Sequence, residues 1–249
     1  MDDTSHDGAL LMCVVALAID ADPRWPLIVV GNRDEFHSRA SAPLAWWDDA
    51  PGMLAGRDLV SGGTWMGVSS AGRFAVVTNV AGYPRGADAP SRGALVADYL
   101  RDGSLPRDET LAAFGGFSLI TVGGAATFRT NQPATRIQPL APGLHGIANG
   151  PLDPPSPRTR LLRASLGGWL AAAGPVETLL DLLADETPAV GGERPVFIRD
   201  TVYGTRCSTI VAVDAAGCGI MIERRFGPGG AAQGDTRLAF DWPEGAARG

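Results

Sequence analysis

Two short apolar runs stand close together near the start of the chain, and the polar cluster that ends the second constrains everything else. Cys13-Val14-Val15-Ala16-Leu17-Ala18-Ile19 and Leu27-Ile28-Val29-Val30-Gly31 are rich in aliphatic and β-branched residues. Both are too short for typical helices and read as buried strands. The turn residues between Asp20 and Pro26 make them neighbours. The second run ends in Asn32-Arg33-Asp34-Glu35. A core strand has no structural need for four polar residues in succession. A thiol opening one central strand and a charge cluster closing the next therefore mark a place where something is bound or activated.

The rest of the chain is a series of short elements. Phe36 to Pro51 reads as a loop holding Trp46 and Trp47, and Arg57-Asp58 as an ion pair within a turn. Thr64 to Val68 and Phe74 to Asn79 flank Ala71-Gly72 and predict a β-hairpin. Ser91 is placed to cap a helix through Leu95, Val96, Tyr99 and Leu100. A short helix over Asp108 to Phe114 and a second hairpin, Phe117 to Val122 with Ala125 to Thr130, come next. Pro151 to Pro157 reads as a rigid surface connection, and Ser156-Pro157 as the start of a helix with Leu161, Leu162, Leu166, Trp169 and Leu170 on its apolar face. Another helix is expected over Glu177 to Leu183. Strands return at Ser208 to Val213, Gly219 to Arg224 and Arg237 to Trp242. This order lacks regular βαβ alternation and favours antiparallel sheets covered by segregated helices.

Composition narrows the function classes. The formal net charge of -6 and the lack of a Lys/Arg run argue against nucleic acid and anionic membrane surfaces as partners. No apolar stretch approaches the ~20 residues of a bilayer span. Asp2, Asp3 and Asp7 precede the apolar stretch Ala9 to Ile19 where a secretory signal needs positive charge. A cytoplasmic location is therefore expected. Three cysteines make no disulfide framework, and three histidines form no zinc pattern. No phosphate-binding loop or Gly-x-Ser-x-Gly elbow is present.

Several stretches, taken in order, carry a resemblance. They are Met12-Cys13, Asn32-Arg33-Asp34-Glu35, Gly56-Arg57-Asp58, Gly62-Gly63-Thr64-Trp65-Met66-Gly67, Thr78-Asn79 and Ser91-Arg92-Gly93. His145-Gly146-Ile147-Ala148-Asn149-Gly150, Leu152-Asp153, Tyr203-Gly204-Thr205-Arg206 and Glu223-Arg224-Arg225-Phe226 continue the series. Together they resemble the NRDE family, the transport and Golgi organisation protein 2 family, from Met12 to about Phe226. The resemblance implies an α+β fold: a four-layer αββα sandwich like that of N-terminal-nucleophile (Ntn) hydrolases, with two stacked antiparallel sheets flanked by helices. It divides the chain into residues 1–11, a leader or a mis-assigned start, and a single domain over 12–249. Ser156 and Arg158 depart from the Trp and Lys expected there, a change bearing at most on one wall of a ligand site.

The resemblance also implies two functional classes. The first is a cytoplasmic protein that binds and handles haem or an acyl-CoA-like lipid on an Ntn-hydrolase scaffold, with no required cofactor and haem only as ligand. The alternative is an Ntn-type cysteine hydrolase or acyltransferase acting on amide or thioester bonds. There Cys13 would be the nucleophile and its own α-amine the base, once Cys13 is the first residue. Arg33 would lower the thiol pKa, Asp34 would orient the amine, and Asn79, with Asn149 as a second candidate, would hold the oxyanion. Ligand contacts are expected from Asn32, Glu35, Trp65 and Arg206, the last through a bidentate fork to carboxylate or phosphate. His37, His145 or Cys13 would be the axial ligand of haem. Each of these residues also has a plain structural alternative, as a strand, turn or ion-pair residue.

Overall fold

The computed structural model describes residues 13–83, 86, 88–243 and 245–246. The expected leader and Met12 lie outside the described residues. The elements run β1 (Val14–Asp22), β2 (Trp25–Phe36), β3 (Ser41–Trp46), β4 (Met53–Asp58), β5 (Met66–Ser69), β6 (Arg73–Asn79), α1 (Arg92–Asp102) and α2 (Asp108–Leu111). They continue with β7 (Phe117–Gly123), β8 (Ala125–Thr130), β9 (Arg136–Pro139), β10 (Gly143–Ile147), α3 (Pro157–Ala172), α4 (Leu179–Leu183), β11 (Tyr203–Val213), β12 (Cys218–Phe226) and β13 (Ala232–Asp241).

Two antiparallel sheets result. One has the order β10-β1-β2-β11-β12-β13, and the other runs β3 to β9 in chain order. Their facing surfaces bury Val15, Leu17, Val29, Val211 and Met221 of the first sheet against Leu54, Met66, Phe74, Val76 and Ile120 of the second. Alternation along each strand sends the intervening residues the other way. Val14, Ala16, Ile28, Val30 and Ile210 pack on Leu162 and Leu166 of α3 and Leu180 and Leu183 of α4. Met53, Ala55, Ala75 and Leu119 of the second sheet pack on Leu95, Val96 and Leu100 of α1. The layers are α, β, β, α, as the resemblance implied.

Local chemistry accounts for most boundaries. Ser91 Oγ accepts from Gly93 N at the start of α1, and Ser156 Oγ accepts from Thr159 N at the start of α3. Both β-hairpins form, the first closing through Gly72 at φ +77°. Gly167-Gly168 does not interrupt α3; a Cβ at Gly167 would come within 2.9 Å of Leu144 Cδ1, so the glycine admits a close approach to β10. The helix expected over Asp108 to Phe114 stops at Leu111, and that over Glu177 to Leu183 divides into a 3-10 turn and α4. The stretch read as a loop after Phe36 contains β3, and Arg57-Asp58 ends β4 and does not form an internal pair. Arg57 instead bonds Asp49 at 2.7 Å and stacks 4.0 Å over the Trp47 ring.

Glycines of the Gly-Gly-Thr-Trp stretch have a tertiary cause. A Cβ at Gly63 would stand 2.5 Å from Gly93 C and 2.6 Å from its carbonyl oxygen, while Thr64 N donates to Gly93 O at 3.2 Å. Two backbones thus lie in direct contact and pin the first turn of α1 beside Trp65. Gly63→Ala must push main chain apart, and it is expected to lower the unfolding free energy in urea by about 1–3 kcal/mol. An unchanged denaturation midpoint would rule out this close approach.

Candidate functional site

The strand alternation of β2 divides the Asn-Arg-Asp-Glu cluster between two environments. Register pairs Val14 with Asn32, so Cys13, one residue ahead, comes level with Arg33. Arg33 pairs with Cys207 of β11, and Cys207 with Arg225 of β12. Cys13, Arg33, Cys207 and Arg225 therefore form one row on the face turned toward the second sheet. Asn32 and Asp34 turn to the helical layer.

Both residues on the helical side are buried and fully engaged. Asn32 Nδ2 donates to Leu183 O and Val196 O at 2.8 and 2.9 Å, and its Oδ1 accepts from Ser208 Oγ at 2.6 Å. Asp34 Oδ2 accepts from Arg158 Nη2 at 2.6 Å, and Oδ1 from Thr205 Oγ1 at 2.7 Å. Burial pushes the Asp34 carboxyl up, while Arg158 and Thr205 pull against it. The side chains of this pair are 1% and 0% exposed. The resemblance gives Arg158 at most a place on a ligand-site wall. It lies instead under the site, paired with the Asp34 carboxylate on the helical side of β2. A buried Arg at a helix start leaves no pattern in the sequence.

The row on the inner face opens into a cleft of about 270 Å³, lined by Cys13, Arg33, Glu35, Arg39, Asp58, Thr64, Trp65, Asn79 and Arg92 among others. Asp34 reaches it by main chain. Its carbonyl oxygen accepts from Tyr203 Oη at 3.0 Å and lies 4.0 Å from Cys13 Sγ. Arg33 Nη2 lies 3.1 Å from Asp58 Oδ2 and 3.5 Å from Glu35 Oε2, and Arg39 Nε donates to Asp58 Oδ2 at 2.6 Å. Although burial works against it, Arg39 and the Ser61 N–H hold the Asp58 carboxyl below its usual range. Trp65 packs over Gly31, where a Cβ would meet its Cη2 at 3.1 Å. Trp46 and Trp47 do not line the cleft; Trp47 is buried with its Nε1 donating to Ala55 O at 3.1 Å.

Across the cleft, Asn79 Oδ1 accepts from Arg92 Nη1 at 2.8 Å, and Asn79 O accepts from Asn149 Nδ2 at 2.9 Å. Asn79 is thus at the cleft wall, and Asn149 supports it from behind. The remaining expected ligand residues are elsewhere. Nε2 of His37 lies 3.1 Å from Asp200 O, and Nε2 of His145 lies 2.7 Å from Ala141 O; neither residue lines the cleft. Arg206 Nη1 donates to the carbonyls of Phe36, His37 and Arg39, an arrangement that ties the turn after β2 and does not form the expected fork to a ligand. Among the described residues, no group of His, Cys, Asp and Glu could hold a metal, and no helix is long and apolar enough to cross a membrane.

The thiol of Cys13 is the chemically decisive group. Burial, with the Asp34 charge next, pushes it up to about 12, and the nearby Arg33 only partly offsets this. With residues ahead of it, Cys13 is a neutral thiol at pH 7. Its alkylation by iodoacetamide should therefore stay slow near neutrality and keep rising above pH 9, read by peptide mass spectrometry; a plateau near pH 8 would contradict the raised value. Arg158→Met should cost about 3–5 kcal/mol in chemical denaturation by leaving Asp34 buried without its partner. Adding Asp34→Asn should restore part of that loss, and no restoration would mean the two groups act independently.

Comparison with known proteins agrees with the motif order. A profile of the family "Transport and Golgi organisation 2" matches residues 12–228. The chain is 30% identical to the human Transport and Golgi organization protein 2 homolog, over 86% of this chain and 92% of that protein. It is 29% identical to the bovine homolog over the same shares. The Drosophila melanogaster Transport and Golgi organization protein 2 is 41% identical over 36% of this chain and 35% of its own length. Among solved structures, a Caenorhabditis elegans ortholog of N-acylethanolamine-hydrolyzing acid amidase aligns over 80% of this chain and 92% of its own, at TM-score 0.47 and 12% identity. With its profile match and its relatives both spanning most of its length, the chain belongs to the Transport and Golgi organisation 2 family.

Proposed function

We propose that the cleft takes the polar end of an acyl ligand, an amide or thioester carbonyl, and that Cys13 attacks it once Cys13 is the first residue of the chain. The observation that carries this reading is the placement of Cys13 level with Arg33 on the inter-sheet face, opening into a cleft walled by charged and amide side chains. A pocket for an extended lipid would be lined predominantly by apolar groups.

In this reading Cys13 Sγ bonds to the carbonyl carbon while the thiol proton passes to the residue's own α-amine and then to the leaving amine or thiolate. The C–N or C–S bond breaks, leaving an acyl-cysteine that water cleaves to the acid and the free thiol. Arg33 supplies the positive charge beside the sulfur. Asn79 is the amide group on the wall where the oxyanion would develop.

Residues ahead of Cys13 change the outcome. A peptide-bonded Cys13 has no basic amine, and its thiol is pushed up to about 12. That observation favours a second reading for such a form: it binds the thioester end of an acyl-CoA-like molecule without turning it over. Neither reading calls on haem. His37 and His145 lie outside the cleft, and Cys13 is not a thiolate there.

The test compares two chains, one beginning at Met1 and one beginning at Cys13, each offered short N-acyl amides and acyl thioesters. Intact mass should show an acyl adduct on Cys13 only in the second, with turnover reduced at least ~100-fold in Cys13→Ala. Turnover that survives Cys13→Ala, or a Cys13-initiated chain that is never acylated, would overturn the reading.

A further inference from the structure

Behind Arg33, on the side away from Cys13, lies a smaller cavity of about 30 Å³. Its wall includes Arg33, Asp58, Arg206, Cys207, Glu223 and Arg225. It exceeds the roughly 10–15 Å³ that one water needs. A register shift between Thr205 and Cys207 leaves Arg206 without a partner residue on β2, and Arg206 lines this cavity.

The wall carries an excess of positive charge. Arg33, Arg206 and Arg225 contribute three guanidinium groups, and Asp58 and Glu223 two carboxyls. Arg57 also borders the cavity, but it is compensated by Asp49 at the surface. Asp58 is shared with Arg39 as well, and Arg33 also meets Glu35 at 3.5 Å on the cleft side, so the surplus rests on Arg206 and Arg225. The bonds of Arg206 go to the carbonyls of Phe36, His37 and Arg39, and those of Arg225 to Ser41 O and Oγ, so among the described residues neither is bonded to a carboxylate. Glu223 is occupied by the Leu44 N–H at 2.9 Å. The Cys207 thiol, pushed up by burial and by Glu223, adds no negative charge.

Two buried donors are left over. Arg206 Nε and Arg33 Nη1 have no hydrogen-bond partner among the described residues. An unmatched donor on a buried cation is expensive, and the natural partner for two of them in a positive wall is an acceptor that donates nothing. We propose that this cavity binds a single monoatomic anion of chloride's size, held by Arg33, Arg206 and Arg225. The site shares Arg33 with the cleft, and its test does not depend on turnover at Cys13.

The thermal midpoint of the full chain is measured while sodium gluconate is replaced by sodium chloride at constant ionic strength. Binding to the folded form alone predicts a saturable rise of a few degrees. Crystals grown in bromide should show one anomalous peak between Arg33, Arg206 and Arg225. Arg206→Gln should abolish the saturable rise, whereas Arg57→Gln should keep it. The bromide peak tests the wild-type chain even if Arg206→Gln does not fold. No halide dependence, a response to acetate in place of halide, or an ordered water only at this position would each overturn the proposal.

Discussion

The ion pair between Arg158 and Asp34 joins the first turn of α3 to the end of β2 in a place that water does not reach. Two charges there are tolerable only because each is matched at hydrogen-bond distance and Thr205 takes the second carboxylate oxygen. The pair ties the β2 end to α3, and Arg33 and Glu35 flank Asp34 on the opposite face of the strand. The same Asp34 presents its carbonyl oxygen to Tyr203 and toward Cys13. A residue that points away from the cleft thus governs its floor.

Around that anchor the site separates into two electrostatic compartments sharing Arg33. On the Cys13 side, Arg33 and Arg39 are balanced by Glu35 and Asp58, leaving a polar cleft with a neutral thiol. On the Cys207 side, arginines outnumber acids and two donors go unmatched. Glu223 ties the compartments to the second sheet, bonding Leu44 N with one oxygen while the other lies 3.0 Å from where a Cβ at Gly56 would stand. The Gly56-Arg57-Asp58 and Glu223-Arg224-Arg225 stretches, far apart in the chain, are thereby one contact.

Elements with strong local signals were legible. Capped helices and glycine-closed hairpins formed close to their expected bounds, whereas two long strands outrun theirs, β2 continuing through the polar cluster to Phe36 and β11 starting at Tyr203. Among the missed strands, β4 is an inner, buried one whose Gly56-Arg57-Asp58 end reads as a turn, and the others share a different character. β3 contains Pro43 and is an edge, β9 is a short exposed edge, and β10 carries two glycines at the rim of the first sheet. Edge strands bury little, so their sequences lack the apolar alternation that marks inner ones. The site shows the same division. Cys13, Arg33, Glu35, Trp65 and Asn79 meet at the cleft, whereas Asn32, His37, His145 and Arg206 serve the frame.

Antiparallel sheets covered by segregated helices are written in the chain itself, because strand and helix periodicities and their order are local properties, whereas the four-layer αββα stacking was implied by the resemblance. The placing of a thiol and a charge cluster on adjacent strands is written in the chain too. Which of those charges the thiol meets is settled by packing. A strand alternates its side chains, and which face turns inward depends on what lies against it: Met66 and Trp65 on one side of β2, α3 and α4 on the other. Arg158 and Cys207 join the site for the same reason. Their proximity to Asp34 and Arg33 comes from packing and register across more than a hundred residues, which no local pattern encodes.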